Sequence, residues 1–256
     1  METTRITALY RYPVKGLSPE SVDRAALVAG GHFPHDRLYA VENGPSGFDP
    51  DKPAFQPKTR FLMLMKNERL ARLRTTYSEL TGQLDVKLDD AVVLRPNLGT
   101  PEGRNQLETF LADYCKADLK GPPRVLKAPG HFRFTDSARS GFVSLLNLAS
   151  VDDLAVRIGK PLDPLRFRAN IHLDGLAPWR EMDLVGKTLA AGPVRLKVLK
   201  PIVRCPATGV DPATGERDID VVEALRAGYG HTNCGIYTKV IAGGEIAAGD
   251  KFVIES

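Results

Sequence analysis

The chain has 256 residues, 43% apolar and 26% charged, with 35 Lys and Arg against 31 Asp and Glu for a net charge of +4, a size and mix that support a large core and exclude a disordered chain. The near-balanced charge is spread along both halves and leaves no basic patch for nucleic acid or a membrane surface, and no uncharged stretch approaches the ~20 residues of a membrane span. The N-terminus has no apolar signal core, and three widely separated cysteines, Cys115, Cys205 and Cys234, fit neither a disulfide framework nor a paired zinc site, so a soluble protein of the reducing cytoplasm is expected.

In chain order, Ile6, Ala8 and Tyr10 alternate with Thr7, Leu9 and Arg11 and predict an opening strand that ends before Pro13. Leu38 to Val41 predicts a second, closed by Asn43-Gly44. The proline- and glycine-rich stretch from Gly44 to Pro57 reads as a surface loop, after which Phe61 to Met65 predicts a buried strand continued through Leu70, Leu73 and Thr75 to Tyr77. Leu84 to Leu88 and Ala91 to Leu94 complete a meander. Leu107, Phe110, Leu111 and Tyr114 fall on one face of a helix between Asn105 and Lys120, stopped by Gly121-Pro122-Pro123. That stop either divides a β-rich domain over 1–120 from a second domain over 121–256 or is a loop inside one continuous fold.

A second helix is predicted from Ser150, with Asp153 at capping-box spacing, to Gly159; Asp152 and Asp153 then read as first-turn carboxylates rather than an acid–base pair. Val194, Leu196 and Val198 predict a half-buried strand ending at Lys200-Pro201-Ile202, followed by a third helix over Asp220 to Arg226. Gly235 to Val240 and Lys251 to Glu255 read as closing strands. Strands outnumber helices and no βαβ series is visible, which predicts an α+β, mainly β fold of barrel type with about three inserted helices.

Several motifs fail on inspection. Gly186-Lys187-Thr188 resembles the end of a phosphate loop, but Glu181 stands where that loop needs its first glycine. His32, His35 and Asp36 have chelating spacing without a third ligand and read as a surface group. Cys205 differs from the other cysteines. It follows a strand end, has Arg204 beside it and precedes a proline and a turn, and a loop thiol near a cation gains thiolate character, which suits a nucleophile or a ligand for a soft or high-valent metal. Lys15, Arg37, Lys58, Arg60, Arg166 and Arg168 are cations at or near strand ends, suited to converge on an anion such as phosphate.

The sequence resembles the MOSC-domain proteins carrying the β-rich N-terminal domain that commonly precedes that domain. The resemblance is carried by Tyr12-Pro13-Val14-Lys15-Gly16, Asp36-Arg37, Ser144 to Ser150, Phe167-Arg168-Ala169-Asn170, Pro201-Ile202-Val203-Arg204-Cys205, Val210 to Gly215 and Gly244 to Asp250, in that order and spacing. Among such proteins it is similar to the mitochondrial amidoxime-reducing component and its bacterial relatives. The resemblance implies a molybdenum–molybdopterin cofactor between the two domains, with Cys205 as the metal ligand and no pyridoxal phosphate. It further implies that Lys15 and Arg37 hold the cofactor phosphate, and that Arg168, Asn170 and Arg204 line the pterin and metal. Cys205, Arg168 and Asn170 are then the residues at the chemistry, with Ser137 and Asn147 near further lining positions.

Gly16 stands where relatives often carry a serine, which leaves its backbone N–H as a phosphate contact. The segment Pro206-Ala207-Thr208-Gly209 is less apolar than in the amidoxime-reducing branch. The implied function is reduction of small N-hydroxylated substrates with electrons from a separate donor protein, because the sequence contains no iron–sulfur cysteine cluster. The alternative is a carrier of the cofactor, or of persulfide sulfur on Cys205, without reductase activity.

Overall fold

The computed structural model describes residues 2–137 and 142–255. The first half carries β1 (Thr3–Arg11), β2 (Glu20–Val22), β3 (Arg24–Leu27), β4 (Tyr39–Asn43), β5 (Arg74–Tyr77), β6 (Leu84–Leu88), β7 (Ala91–Leu94) and α1 (Pro101–Tyr114). The second carries β8 (Pro123–Lys127), β9 (Phe142–Asn147), α2 (Leu148–Ile158), β10 (Ile171–Asp174), β11 (Thr188–Ala191) and β12 (Val194–Val203). It continues with α3 (Val221–Tyr229), β13 (Asn233–Ala242), β14 (Gly244–Ala247) and β15 (Lys251–Glu255). The protein is mainly β with a few helices, as the strand-rich pattern predicts.

Seven strands close a barrel in the order β1, β10, β9, β13, β12, β11, β15 and back to β1. Each neighbouring pair is antiparallel except β9 and β10. Inward-pointing Ile6, Leu9, Val143, Leu145, Leu196, Ile236 and Phe252 fill it and are fully buried, each contributing about 1.5–3 kcal/mol of burial free energy. The opening strand departs from strict alternation. A register shift between Ile6 and Ala8 lets Ile6 and Leu9 both face inward, where simple alternation predicts Ala8 and Tyr10.

The remaining strands build a second core. β5, β6 and β7 form a meander, β4 pairs with β8, and α1 packs Leu107 and Leu111 against Leu62, Leu70 and Leu84. Thus β1 belongs to the barrel, and the β4–β8 ladder joins residues on the two sides of the Gly121–Pro123 stop. No helix among the described residues is long and apolar enough to cross a membrane.

Local chemistry moves several predicted boundaries. The first helix begins at Pro101, earlier than its apolar stripe indicates, because Thr100 accepts the Gly103 N–H and proline suits the first helical position. Residues 61–65 form no strand: the Met63 carbonyl accepts N–H groups from Lys66 and Asn67, and Asn67 Oδ1 accepts the Met63 N–H, which makes a turn. Leu70 lies in a 3-10 turn over Glu68–Arg72. Ser150 does not cap α2. It is buried within that helix, donating to Glu181 and accepting from the Trp179 N–H, while Asp153 accepts from the Trp179 indole and the Tyr229 hydroxyl. Gly159 ends α2 in the left-handed conformation, as predicted.

Candidate functional site

β1 delivers Tyr12 to a fully buried position, where the guanidinium carbons of Arg37 and Arg168 lie 4.6 and 4.3 Å from its ring centroid. Both arginines have left-handed backbone angles, with φ of +49° and +52°. Side chains rarely accept such angles, and here hydrogen bonds impose them: Arg37 N–H donates to the Tyr12 carbonyl at 2.8 Å, and Arg168 N–H to the Leu165 carbonyl at 3.1 Å. The two side chains are also pinned, Arg37 to the Arg168 carbonyl and Arg168 to the Leu17 carbonyl. Asp36 is the counter-ion of Arg37 and accepts the Tyr12 N–H. Burial, with Arg37 close by, pulls the Arg168 pKa down to about 10.

Lys15 follows on the same turn and is buried, donating to the Phe134 carbonyl at 3.0 Å and to Asp136. Burial lowers its pKa despite Asp136, while the Asp136 carboxyl, which burial would raise, is held at about 2 by Lys15. Beside it Gly16 has φ of +87°, and a Cβ there would lie 2.8 Å from the Leu62 carbonyl oxygen. A glycine is therefore required where the chain passes this close.

From the barrel side, the end of β12 delivers Arg204 and Cys205. Arg204 donates through Nε to the Cys234 carbonyl and through Nη1 to the Phe167 carbonyl, both at 2.7 Å. Its Nη2 is buried with no partner among the described residues. Gly235 makes room for it, since a Cβ there would lie 3.0 Å from Nη2 and 2.5 Å from the Leu145 carbonyl oxygen. Cys205 is half-buried, and its carbonyl accepts the N–H and hydroxyl of Thr208, which opens a 3-10 turn over Pro206–Gly209.

The cation on the Cys205 sulfur is Lys58. Its ammonium lies near that sulfur, and although burial would depress the ammonium, Cys205 and Asp136 raise its pKa. Cys115 and Cys234 are sealed in the protein, and burial pushes their thiols up to about 11 and about 12.

These groups meet in one cleft of about 290 Å³ lined by Arg37, Lys58, Asp136, Ser137, Arg168, Asn170, Arg204 and Cys205. A side chamber of about 40 Å³ adds Lys15, Gly16 and Met63 and shares Cys205, Lys58 and Arg168 with it. Arg166 also lines the cleft, but it is already paired with Asp211 and Asp218. Asn170 is buried and committed, accepting the Ser144 N–H and hydroxyl and donating to the Tyr10 carbonyl, so it fixes the wall rather than offering a free donor.

Asn147 is not brought to the cleft. It is fully buried behind the barrel and donates to Ser150, Glu181 and the Ala177 carbonyl. Arg60, on the same turn as Lys58, does not line the cleft either. Lys58, Asp136, Lys200, Phe142 and Tyr237 do line it. Among these, only Lys58 belonged to the cation pattern visible in sequence, and nothing there ties it to Cys205.

The donor set suits an anionic, soft-metal group. Among the described residues around Lys15, Arg37, Lys58 and Arg168, Asp36 and Asp136 supply the negative charge, so of these six groups two positive charges remain for a phosphate dianion. Arg204 Nη2 keeps a donor without a partner among the described residues, and Cys205 supplies a thiol.

The chain matches the MOSC domain family over residues 134–253 and the MOSC N-terminal beta barrel domain family over residues 3–117. It is 27% identical to a molybdenum cofactor sulfurase of Caenorhabditis briggsae over 86% of this chain and 31% of that protein. It is 35% identical to a molybdenum cofactor sulfurase of Drosophila willistoni over 36% of this chain and 12% of that one. The chain therefore spans a third or less of the length of these curated relatives. Among solved structures, the YUAD protein from Bacillus subtilis is 12% identical with a TM-score of 0.47, covering 99% of this chain and 96% of that one. YiiM from Geobacillus stearothermophilus is 23% identical with a TM-score of 0.35, covering 44% and 54%. With both family matches falling on the two halves whose strands build the barrel and its neighbouring core, the chain is a MOSC-domain protein with an N-terminal MOSC β-barrel domain.

Proposed function

We propose that the protein is a molybdenum-cofactor-dependent reductase of small N-hydroxylated compounds, supplied with electrons by a separate protein. The observation that carries this reading is the half-buried thiol of Cys205 in a cleft where cations from both halves of the chain converge. Among the described residues no group of three or more His, Cys, Asp or Glu side chains is arranged to hold a metal ion. Cys205 is thus a single soft donor, and a metal held there takes its other ligands from a cofactor.

Lys15, Arg37 and Arg168, with the Gly16 N–H, would hold the cofactor phosphate. Arg204 Nη2 would donate to the pterin, and Cys205 would ligate molybdenum. When bound, the cofactor supplies a two-electron redox centre. Reduction of R–NHOH to R–NH2 consumes two electrons and two protons and releases water. The chain's part is to orient and to hold charge: Lys58 places its ammonium near the Cys205 sulfur, Asn170 fixes the wall beneath Arg168, and Tyr237, its pKa raised chiefly by burial, keeps a phenol O–H in the cleft.

The second reading, delivery of the cofactor or of persulfide sulfur, draws support from the sulfurase names of the relatives and from the accessible thiol beside an ammonium. Protein purified from a molybdenum-competent host is expected to contain one molybdenum and one pterin per chain and to reduce benzamidoxime in a single turnover after chemical reduction. Cys205→Ser is expected to abolish that turnover; full activity with bound molybdenum in this variant would refute the ligand assignment. Cyanide-labile sulfur on Cys205 without any turnover would establish the carrier instead.

A further inference from the structure

The cleft has a second end. The side chamber adds Lys15 to Arg37 and Arg168, which it shares with the main cavity, and Phe142, Lys200 and Tyr237 on β9, β12 and β13 line the main cavity alone. There Phe142 and Tyr237 stack, with ring centroids 4.8 Å apart and planes 22° from parallel. The Lys200 ammonium stands 5.5 Å from the Phe142 centroid and 5.9 Å from that of Tyr237.

Strand register creates this wall. Val194, Leu196 and Val198 point into the barrel, but the β12–β13 ladder shifts register between Val198 and Lys200, and Lys200 then pairs with Tyr237. Such a bulge re-aims the side chains beyond it. Among the described residues Lys200 has no carboxylate partner, unlike Lys15, Arg37 and Arg166, each of which has at least one. An aromatic pair with an unneutralised ammonium over its rings favours a planar ligand that carries an anion. Four residues stand between Lys200 and Cys205, so the two lie within about 18 Å of each other, a span that a substituted aromatic ring does not exceed.

Resting on the reading that the cofactor fills the Lys15, Arg37 and Arg168 end, we propose that Phe142, Tyr237 and Lys200 form the substrate subsite. The protein then selects aryl N-hydroxylated compounds bearing a carboxylate. Lys200 sets specificity, binding the carboxylate while the N–O group faces Cys205.

The test is equilibrium calorimetry of cofactor-loaded protein without reductant, titrated with benzamidoxime and with 4-carboxybenzamidoxime. Wild-type protein is expected to bind the carboxylate about tenfold more tightly at low ionic strength, a difference of about 1.4 kcal/mol. Lys200→Arg is expected to keep that ratio and Lys200→Met to bring it near one. No preference in the wild-type protein, or a preference that survives in Lys200→Met, overturns the subsite. A Lys200-dependent preference with neither compound reduced once electrons are supplied supports the subsite and overturns the reductase reading, so the two failures are distinguishable.

Discussion

Tyr12 shows how a single side chain organises the cation cluster. Buried at the end of β1, it gives Arg37 and Arg168 a common surface, so two like charges are held close. Much of this set was readable in sequence, because Lys15, Arg37, Arg168, Arg204 and Cys205 sit in short motifs whose chemistry is local. Lys58 was not placed, since its contact with Cys205 joins two turns far apart in the chain. Asn147 was misplaced because the strand ahead of α2 carries it behind the barrel.

Another residue gives the molecule a pH response. His172 is 4% exposed, tilted against Tyr10, and burial lowers its pKa from 6.5 to about 4. Between those values the unfolded chain binds the proton and the folded one does not. The stabilisation is therefore complete above pH 6.5 and is lost as pH falls from 6.5 to 4. At about 1.4 kcal/mol per pH unit, the loss between pH 7 and pH 5 is about 2 kcal/mol. Urea midpoints at the two pH values should show it, and His172→Phe should remove most of the difference; an unchanged difference in that variant would count against the assignment.

Elements meet the site through backbone tolerances. Gly235, with φ of +73°, lets β13 pass beneath Arg204. Gly235→Ala is expected to cost about 1–3 kcal/mol from left-handed strain and the close Leu145 carbonyl, read as a lowered thermal midpoint. It should also lower cofactor retention by displacing Arg204, and unchanged retention would separate that arginine from the cofactor. Apolar periodicity located the β5–β6–β7 meander and all three helices, but not their ends, which depend on capping by Thr100, Asp220 and Gly230. Periodicity also could not reveal the bulges in β1 and β12, which arise from pairing with distant strands.

At the scale of the whole molecule, the division at 120/121 suggested by Gly121-Pro122-Pro123 meets a barrel that takes one stave, β1, from the far side of it. Residues 121–256 expressed alone are expected to give no cooperative thermal transition, because β10 and β15 would each present an unpaired edge. A cooperative melt from that fragment would show that the barrel closes without β1. Sequence reading detected a barrel-like composition, yet which strand closes it is a property of long-range pairing.

That stave also sets a clock. Thr3 is registered with Val253, so the ladder between β1 and β15 cannot form until the chain has been made through β15. Contacts of such long sequence separation form slowly. Lys15 lies four residues beyond that strand and shares a chamber with Cys205 of the other half, so the walls that bring them together are complete only once β15 has closed the barrel.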